Sequence, residues 1–186
     1  LTPPQVVDKL NKTIDWLLMD AQRWVDWVTE YDDAPNRFVS KMPSWVGDGG
    51  QKNLGRQLQF CQWRIAPDEA LLIRVTPPRA AYWNFELANA WFTSVDYRYR
   101  FSSLNGRQAV REDDGSVIIA VSHADPGIPN WLDTGGHCKG MVNQRWVEAD
   151  DHPVPQTELV KLKDLDQHLG NARRVTPAER ADQLRR

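Results

Sequence analysis

A chain of 186 residues, 41% hydrophobic and 26% charged, has the size and composition of one globular domain, and its core needs no disulfide or metal to hold it. Its 23 basic and 25 acidic residues leave a net charge of −2, which argues against nucleic acid or an anionic membrane as a partner held by bulk charge. No run of about 18 apolar residues is present to span a bilayer, and no secretory signal is read, so the expectation is a cytoplasmic protein without a membrane partner. The opening Leu1-Thr2-Pro3-Pro4, without Met, reads as a processed chain or a piece of a longer one.

The first segment, residues 1–35, reads as a helix. Thr2 precedes two prolines, and Gln5 completes a capping box. Val7, Ile14, Ala21 and Val28 recur every seven residues, with Leu10, Leu17, Trp24 and Tyr31 as a companion row. The two rows make one apolar seam, widened by Leu18, Val25 and Trp27, along about seven turns. Trp and Tyr in the seam suit a coiled-coil dimer poorly. The expectation is packing against the chain's own sheet, with a homo-oligomer left open. Asp32-Asp33-Ala34-Pro35-Asn36 ends the helix.

Residues 36–56 read as a linker, because Pro43, Gly47, Asp48, Gly49, Gly50 and Gly55 favour turns; Trp45 is expected to anchor it to the body. From 57 to 162 the chain reads as short strands. Leu71, Ile73 and Val75 alternate within Glu69–Thr76, and Ala81, Trp83, Phe85 and Leu87 alternate with Tyr82, Asn84 and Glu86. Asp113-Asp114-Gly115-Ser116 reads as a hairpin turn before Val117–Val121, a β-branched run expected to be fully buried. Met141–Val147 and Gln156–Leu162 complete the set. Tyr97-Arg98-Tyr99-Arg100 resembles the aromatic and basic alternation of a single-strand nucleic-acid groove, but reads more simply as a half-buried strand. Cys61 and Cys138 show no metal spacing and are expected as two small buried thiols, with a disulfide between them left open. Residues 163–186 form a polar tail, in which Thr176-Pro177-Ala178-Glu179 caps a short peripheral helix. The fold expected is therefore mainly β with helical additions: one domain over 1–186, an antiparallel β-sandwich behind a long amphipathic helix.

Tyr82-Trp83-Asn84-Phe85-Glu86-Leu87, Asp114-Gly115-Ser116-Val117 and Asn130-Trp131-Leu132-Asp133-Thr134 together resemble the bacterial domain-of-unknown-function family 1214. The likeness covers about residues 57–162 and is nearest a subgroup with a preceding helix and a fuller loop, present here from His123 to His137. It implies a jelly-roll-like sandwich, often the C-terminal part of a longer protein and frequently paired with family 1254. It implies no established reaction and no catalytic residues. Asp133 stands where the broader family commonly has proline, and the two histidines are not general in it.

The segment Ser122–Lys139 reads as a long loop that gathers His123, Asp125, Asn130, Trp131, Asp133, Thr134, His137 and Cys138. His123-x-Asp125 with His137 has the composition of a two-His, one-carboxylate metal site. The competing reading has the histidines bonding loop backbone and Asp125 capping the turn before Pro126-Gly127, with no metal and no cofactor. Trp131 is either a stacking platform for a sugar or apolar ligand, with Asn130 and Asp133 as polar contacts, or a plug closing the sandwich end. No nucleophile elbow, phosphate-cradling loop or H-E-x-x-H occurs.

These features favour a noncatalytic binding or accessory module that holds a small-molecule or carbohydrate ligand or docks on another domain of the same chain. The alternative is a hydrolase or lyase acting on a sugar, lipid or similar metabolite through His123, Asp125 and His137.

Overall fold

The computed structural model describes residues 1–39 and 56–185, apart from the side chain of Arg56. The turn-rich stretch with Pro43, Trp45, Gly47, Asp48, Gly49, Gly50 and Gly55 lies outside them.

Helix α1 spans Pro3–Thr29, and the Gln5 Oε1 accepts the Thr2 backbone N–H at 2.8 Å to close its N-terminus. The strands follow as β1 (Phe38–Val39), β2 (Arg56–Arg64), β3 (Glu69–Val75), β4 (Ala80–Asn89), β5 (Ser103–Asn105), β6 (Val117–Ser122), β7 (Asn130–Asp133), β8 (Lys139–Ala149) and β9 (Gln156–Lys161). A 3-10 turn, Leu162–Asp164, leads into α2 (Leu165–Leu169), and α3 covers Pro177–Leu184. No helix among the described residues is long and apolar enough to cross a membrane.

The strands form two sheets, ordered β1-β2-β8-β4-β5 and β7-β6-β3-β9. The period-two alternation explains how they face each other. Cys61, Trp63, Trp83, Phe85, Leu87, Val142 and Trp146 project from the first sheet, and Leu71, Ile73, Val75, Val117, Ile119, Val121 and Leu132 from the second, into one shared core. The first sheet is antiparallel throughout, but β7 runs parallel to β6, with Asn130 opposite Ile119 and Asp133 opposite Ser122. The expectation of purely antiparallel sheets is corrected there. A parallel neighbour ordinarily needs a long crossover. Here β7 starts beside the middle of β6, so a tight return through Asp125-Pro126-Gly127, with φ of +72° at Gly127, suffices.

The outer faces are covered differently. Ala70, Leu72, Ala120 and Val160 on the second sheet, with Ile128 from the turn before β7, are buried by Leu165 and Leu169 of α2. This is why β3 is apolar on both faces. On the first sheet, Phe60, Ala88 and Met141 receive Trp27 and Tyr31 of α1, with Trp24 and Phe92 alongside. Trp27 stands edge-on to Phe92 and Phe60, with ring centroids 4.2 and 5.4 Å away.

Beyond that contact α1 leaves the body, and the expectation that its whole seam packs at home is corrected. Val7, Leu10, Ile14, Leu17 and Leu18 are 54–68% exposed. Much of the outer face away from that contact is polar, with Gln62, Asn84, Glu86, Asn143 and Arg145 among its side chains; Glu86 and Arg145 are paired at 2.8 Å.

Three further expectations change. Asp113-Asp114-Gly115-Ser116 does turn, with φ of +83° at Gly115, but joins β5 and β6 of different sheets and is no hairpin. Tyr97-Arg98-Tyr99-Arg100 forms a turn instead of a strand, because Asp96 Oδ1 accepts the N–H groups of Arg98 and Tyr99 at 3.2 and 3.3 Å; both tyrosines are exposed. Both cysteines are free, and only Cys61 is buried. Burial pushes the Cys61 thiol far up, so it is inert, whereas Cys138 is exposed ahead of β8.

Candidate functional site

The segment read as one long loop contains an edge strand. Asn130 and Asp133 fall on β7, and their side chains are spent holding the fold. Asn130 Oδ1 accepts the Val110 N–H at 2.8 Å while its Nδ2 donates to the Val110 and Ile118 carbonyls at 2.8 and 3.0 Å. One amide thus stitches the segment after β5 to the second sheet. Asp133 Oδ2 accepts from Arg100 at 2.8 Å and its Oδ1 from the Gly135 N–H at 2.8 Å. The hydrogen bond that Arg100 donates to Asp133, with the carboxylate's charge, pushes the Arg100 guanidinium further up.

Asp125 has two structural duties. Its Oδ1 accepts the Gly127 N–H at 2.9 Å, as expected of a turn cap, and both oxygens accept from Arg180, at 2.8 Å from Nε and 3.0 Å from Nη2. His123 Nδ1 lies 2.9 Å from Thr134 Oγ1, and its Nε2 is buried without a partner. The His137 backbone N–H donates to the Thr134 carbonyl, and its side chain is exposed. The three residues form no common centre: among the described residues, no group of three His, Cys, Asp or Glu is placed to hold a metal ion.

Trp131 lines an open cleft. Its Nε1 donates to the Ser122 carbonyl at 3.2 Å, and the Arg180 guanidinium lies over the ring, 5.3 Å from its centroid. These two contacts fix a half-buried indole at the wall of a cleft of about 740 Å³. The cleft lies where the edge strands β5 and β7 meet, with Phe101, Leu104, Val110 and Pro129 as apolar lining and Arg107, Gln108 and Gln183 as polar groups. A backbone bond from the Asp133 N–H to the Phe101 carbonyl, 2.7 Å, closes its end.

Arg107 is presented by local turn chemistry. Asn105 Oδ1 accepts the N–H groups of Arg107 and Gln108 at 2.9 and 3.1 Å, and Gln108 Oε1 accepts the Asn105 N–H at 3.0 Å. None of these cleft residues except Trp131 stood out in the sequence, since they converge from β5, the turn after it, β7 and α3. The tail expected to be peripheral supplies both Gln183 and Arg180. Arg180 is 5% exposed and also donates to the Ile128 and Pro129 carbonyls and to Gln183.

No family model matches the chain, and no curated protein does. Solved structures similar to it include two uncharacterised proteins. An uncharacterized protein from Burkholderia cenocepacia is 36% identical over 75% of this chain, with a TM-score of 0.68; the match covers 39% of that protein. The VPA0106 protein from Vibrio parahaemolyticus is 16% identical over 87% of this chain and 46% of its own, with a TM-score of 0.50, a likeness of fold alone. The chain therefore spans less than half the length of either.

Proposed function

We propose that the chain is a noncatalytic binding or accessory module that holds a small apolar or carbohydrate ligand in the cleft beside Trp131. The observation that carries this is the half-buried indole, pinned along one edge and backed by a cation, in a cleft large enough for a sugar ring and walled by apolar side chains with a few polar ones. The catalytic alternative draws less support, because Asp125 is already bound by Arg180. A jelly-roll-like sandwich of domain-of-unknown-function family 1214 is the arrangement we propose for the body. In its favour, the chain crosses repeatedly between two sheets around one core, and the resemblance segments fall on β4, on the turn before β6 and on β7.

A thermal-shift screen of neutral sugars and small apolar compounds tests the cleft. A ligand at a hundred times its dissociation constant adds about 2.7 kcal/mol of stability, and Trp131→Ala is expected to abolish that gain. A screen in which nothing shifts the native chain, or in which Trp131→Ala responds as well as the native chain, removes this reading.

A separate reading concerns α1, whose free seam fits a second copy of the same helix. Val7 and Ile14 with Leu10 and Leu17 follow the β-branched and leucine alternation of two-stranded coils. Trp24 and Tyr31, which suit such a coil poorly, are taken up by the sheet. Seven side chains from Val6 to Leu18, 40–68% exposed, offer on the order of 500 Å² per helix; two copies then reach the roughly 1,000 Å² a specific interface needs. The mass in solution is expected at twice 21.4 kDa, falling to one chain when Leu10→Asp and Leu17→Asp are combined. A native chain that is monomeric at micromolar concentration removes the dimer.

A further inference from the structure

A second cleft, of about 490 Å³, adjoins the first and has a different chemistry. Arg79, Arg107 and Arg111 line it together with Tyr82 and Trp83, and no carboxylate is among its lining residues. Arg79 donates through Nε to Asp150 at 3.1 Å, and Arg111 through Nη1 to the Gly115 carbonyl at 3.1 Å, so each keeps further donors unspent. The Arg107 side chain has no partner among the described residues.

Trp83 adds a buried donor. The residue is 5% exposed, packed against Phe85 and Trp146 at ring centroid distances of 6.1 Å. No described residue accepts its indole N–H, and that atom is not sealed from solvent, so it opens on the cleft it lines. Gly106 lets the indole stand there: a Cβ at that position would sit 2.6 Å from Nε1. Three guanidinium groups, the neutral donors of Trp83, Tyr82 and Asn105, and no carboxylate in the lining suit an oxyanion, which arginine grips with two parallel bonds. Arg107 lines both clefts and so connects them.

We propose that these residues form an oxyanion site, and that the ligand is a sugar carrying a phosphate, sulfate or carboxylate group, with its ring beside Trp131 and its charged group among Arg107, Arg111, Arg79 and the Trp83 N–H. The sugar half of this proposal rests on the reading of the Trp131 cleft given above; the oxyanion half does not.

The test is a titration followed through the tryptophan indole N–H signals, assigned with Trp83→Phe and Trp131→Phe, using glucose 6-phosphate, glucuronate, glucose and inorganic phosphate as probes at low salt. Glucose 6-phosphate is expected to move both signals and to bind at least tenfold more tightly than glucose. Arg107→Gln and Arg111→Gln are each expected to weaken it tenfold or more without changing Tm. Glucuronate binding as tightly as the phosphate identifies a carboxylate as sufficient. If glucose and glucose 6-phosphate bind equally and Arg107→Gln changes nothing, the oxyanion site is overturned while the Trp131 reading stands. If inorganic phosphate moves the Trp83 signal but no sugar moves that of Trp131, the sugar is overturned and the Trp131 reading with it. Silence of both signals toward every probe overturns the whole.

Discussion

Gly140→Ala is expected to cost about 3 kcal/mol of folding stability, at the upper end for a single added methyl group. Gly140 lies in β8 opposite Trp63 of β2 and Asn89 of β4. A Cβ there would run into the Ala88 carbonyl oxygen and would meet the Trp63 ring at 2.8 and 2.9 Å. Neither neighbour yields easily. The carbonyl belongs to the backbone of β4, and Trp63 is fully buried between the sheets. Interiors are packed too closely for an indole to move without displacing others. Urea unfolding measures the effect, with a midpoint expected to fall by about 1 M or more. Gly136→Ala is the control: φ is +86° but nothing lies within 4 Å of the added carbon, so only backbone strain of about 1 kcal/mol is expected. Equal losses in the two variants would mean that β8 does not lie between β2 and β4 in this register.

The parts of the fold legible beforehand were those with long local periods. Ten residues of β4 and seven of β3 show their inner faces directly, and the two capping boxes mark where α1 and α3 begin. What the sequence hid depends on partners far away in the chain. Four residues of β7 are too few for a period, and Pro129 before them reads as a loop. The Asp-Asp-Gly-Ser turn is set by its own residues, but whether the strands it joins pair with each other is decided by the rest of the sheet. The seam of α1 has the same character along its whole length, so nothing in it announces that only Trp24, Trp27 and Tyr31 find an apolar landing.

The site was less legible, for a related reason. Histidines and carboxylates draw attention because they can do chemistry, yet Asp125, Asn130 and Asp133 are consumed by Arg180, Val110 and Arg100. Buried polar groups without partners are costly, so a polar segment crossing a sheet edge spends its polar side chains on tying neighbouring segments to it. Trp131 was visible as an aromatic residue in that loop. Arg107 and Leu104 were not, since nothing in a three-residue strand and a turn signals that they meet Trp131 across two sheets.

Arg180→Ala is expected to release α3 from the body and to loosen the Trp131 cleft, at a cost of about 2–3 kcal/mol. The Arg180 side chain is almost wholly buried and binds the Asp125 carboxylate with two bonds, the Ile128 and Pro129 carbonyls, and Gln183. Removing it leaves the Ile128 and Pro129 carbonyls without that donor and leaves Asp125 with only the Gly127 N–H among the described groups. The full penalty for orphaning a buried charge does not apply, because the Asp125 side chain keeps 37% of its exposure and water can reach it. Arg180→Lys is expected to recover little, since an ammonium group cannot span both carboxylate oxygens and the two carbonyls. Hydrogen exchange distinguishes local release from general unfolding: amide protection should fall in α3 and in residues 123–130, while β2 and β8 keep theirs. The same variant strips the cation from the face of Trp131, so the indole signal should shift and any ligand found for the cleft should bind at least tenfold more weakly. A C-terminal helix that exchanges in Arg180→Ala as slowly as in the native chain would mean that other contacts, such as the 2.8 Å pair between Arg173 and Asp113, suffice to hold the tail, and that Arg180 is not what shapes the cleft.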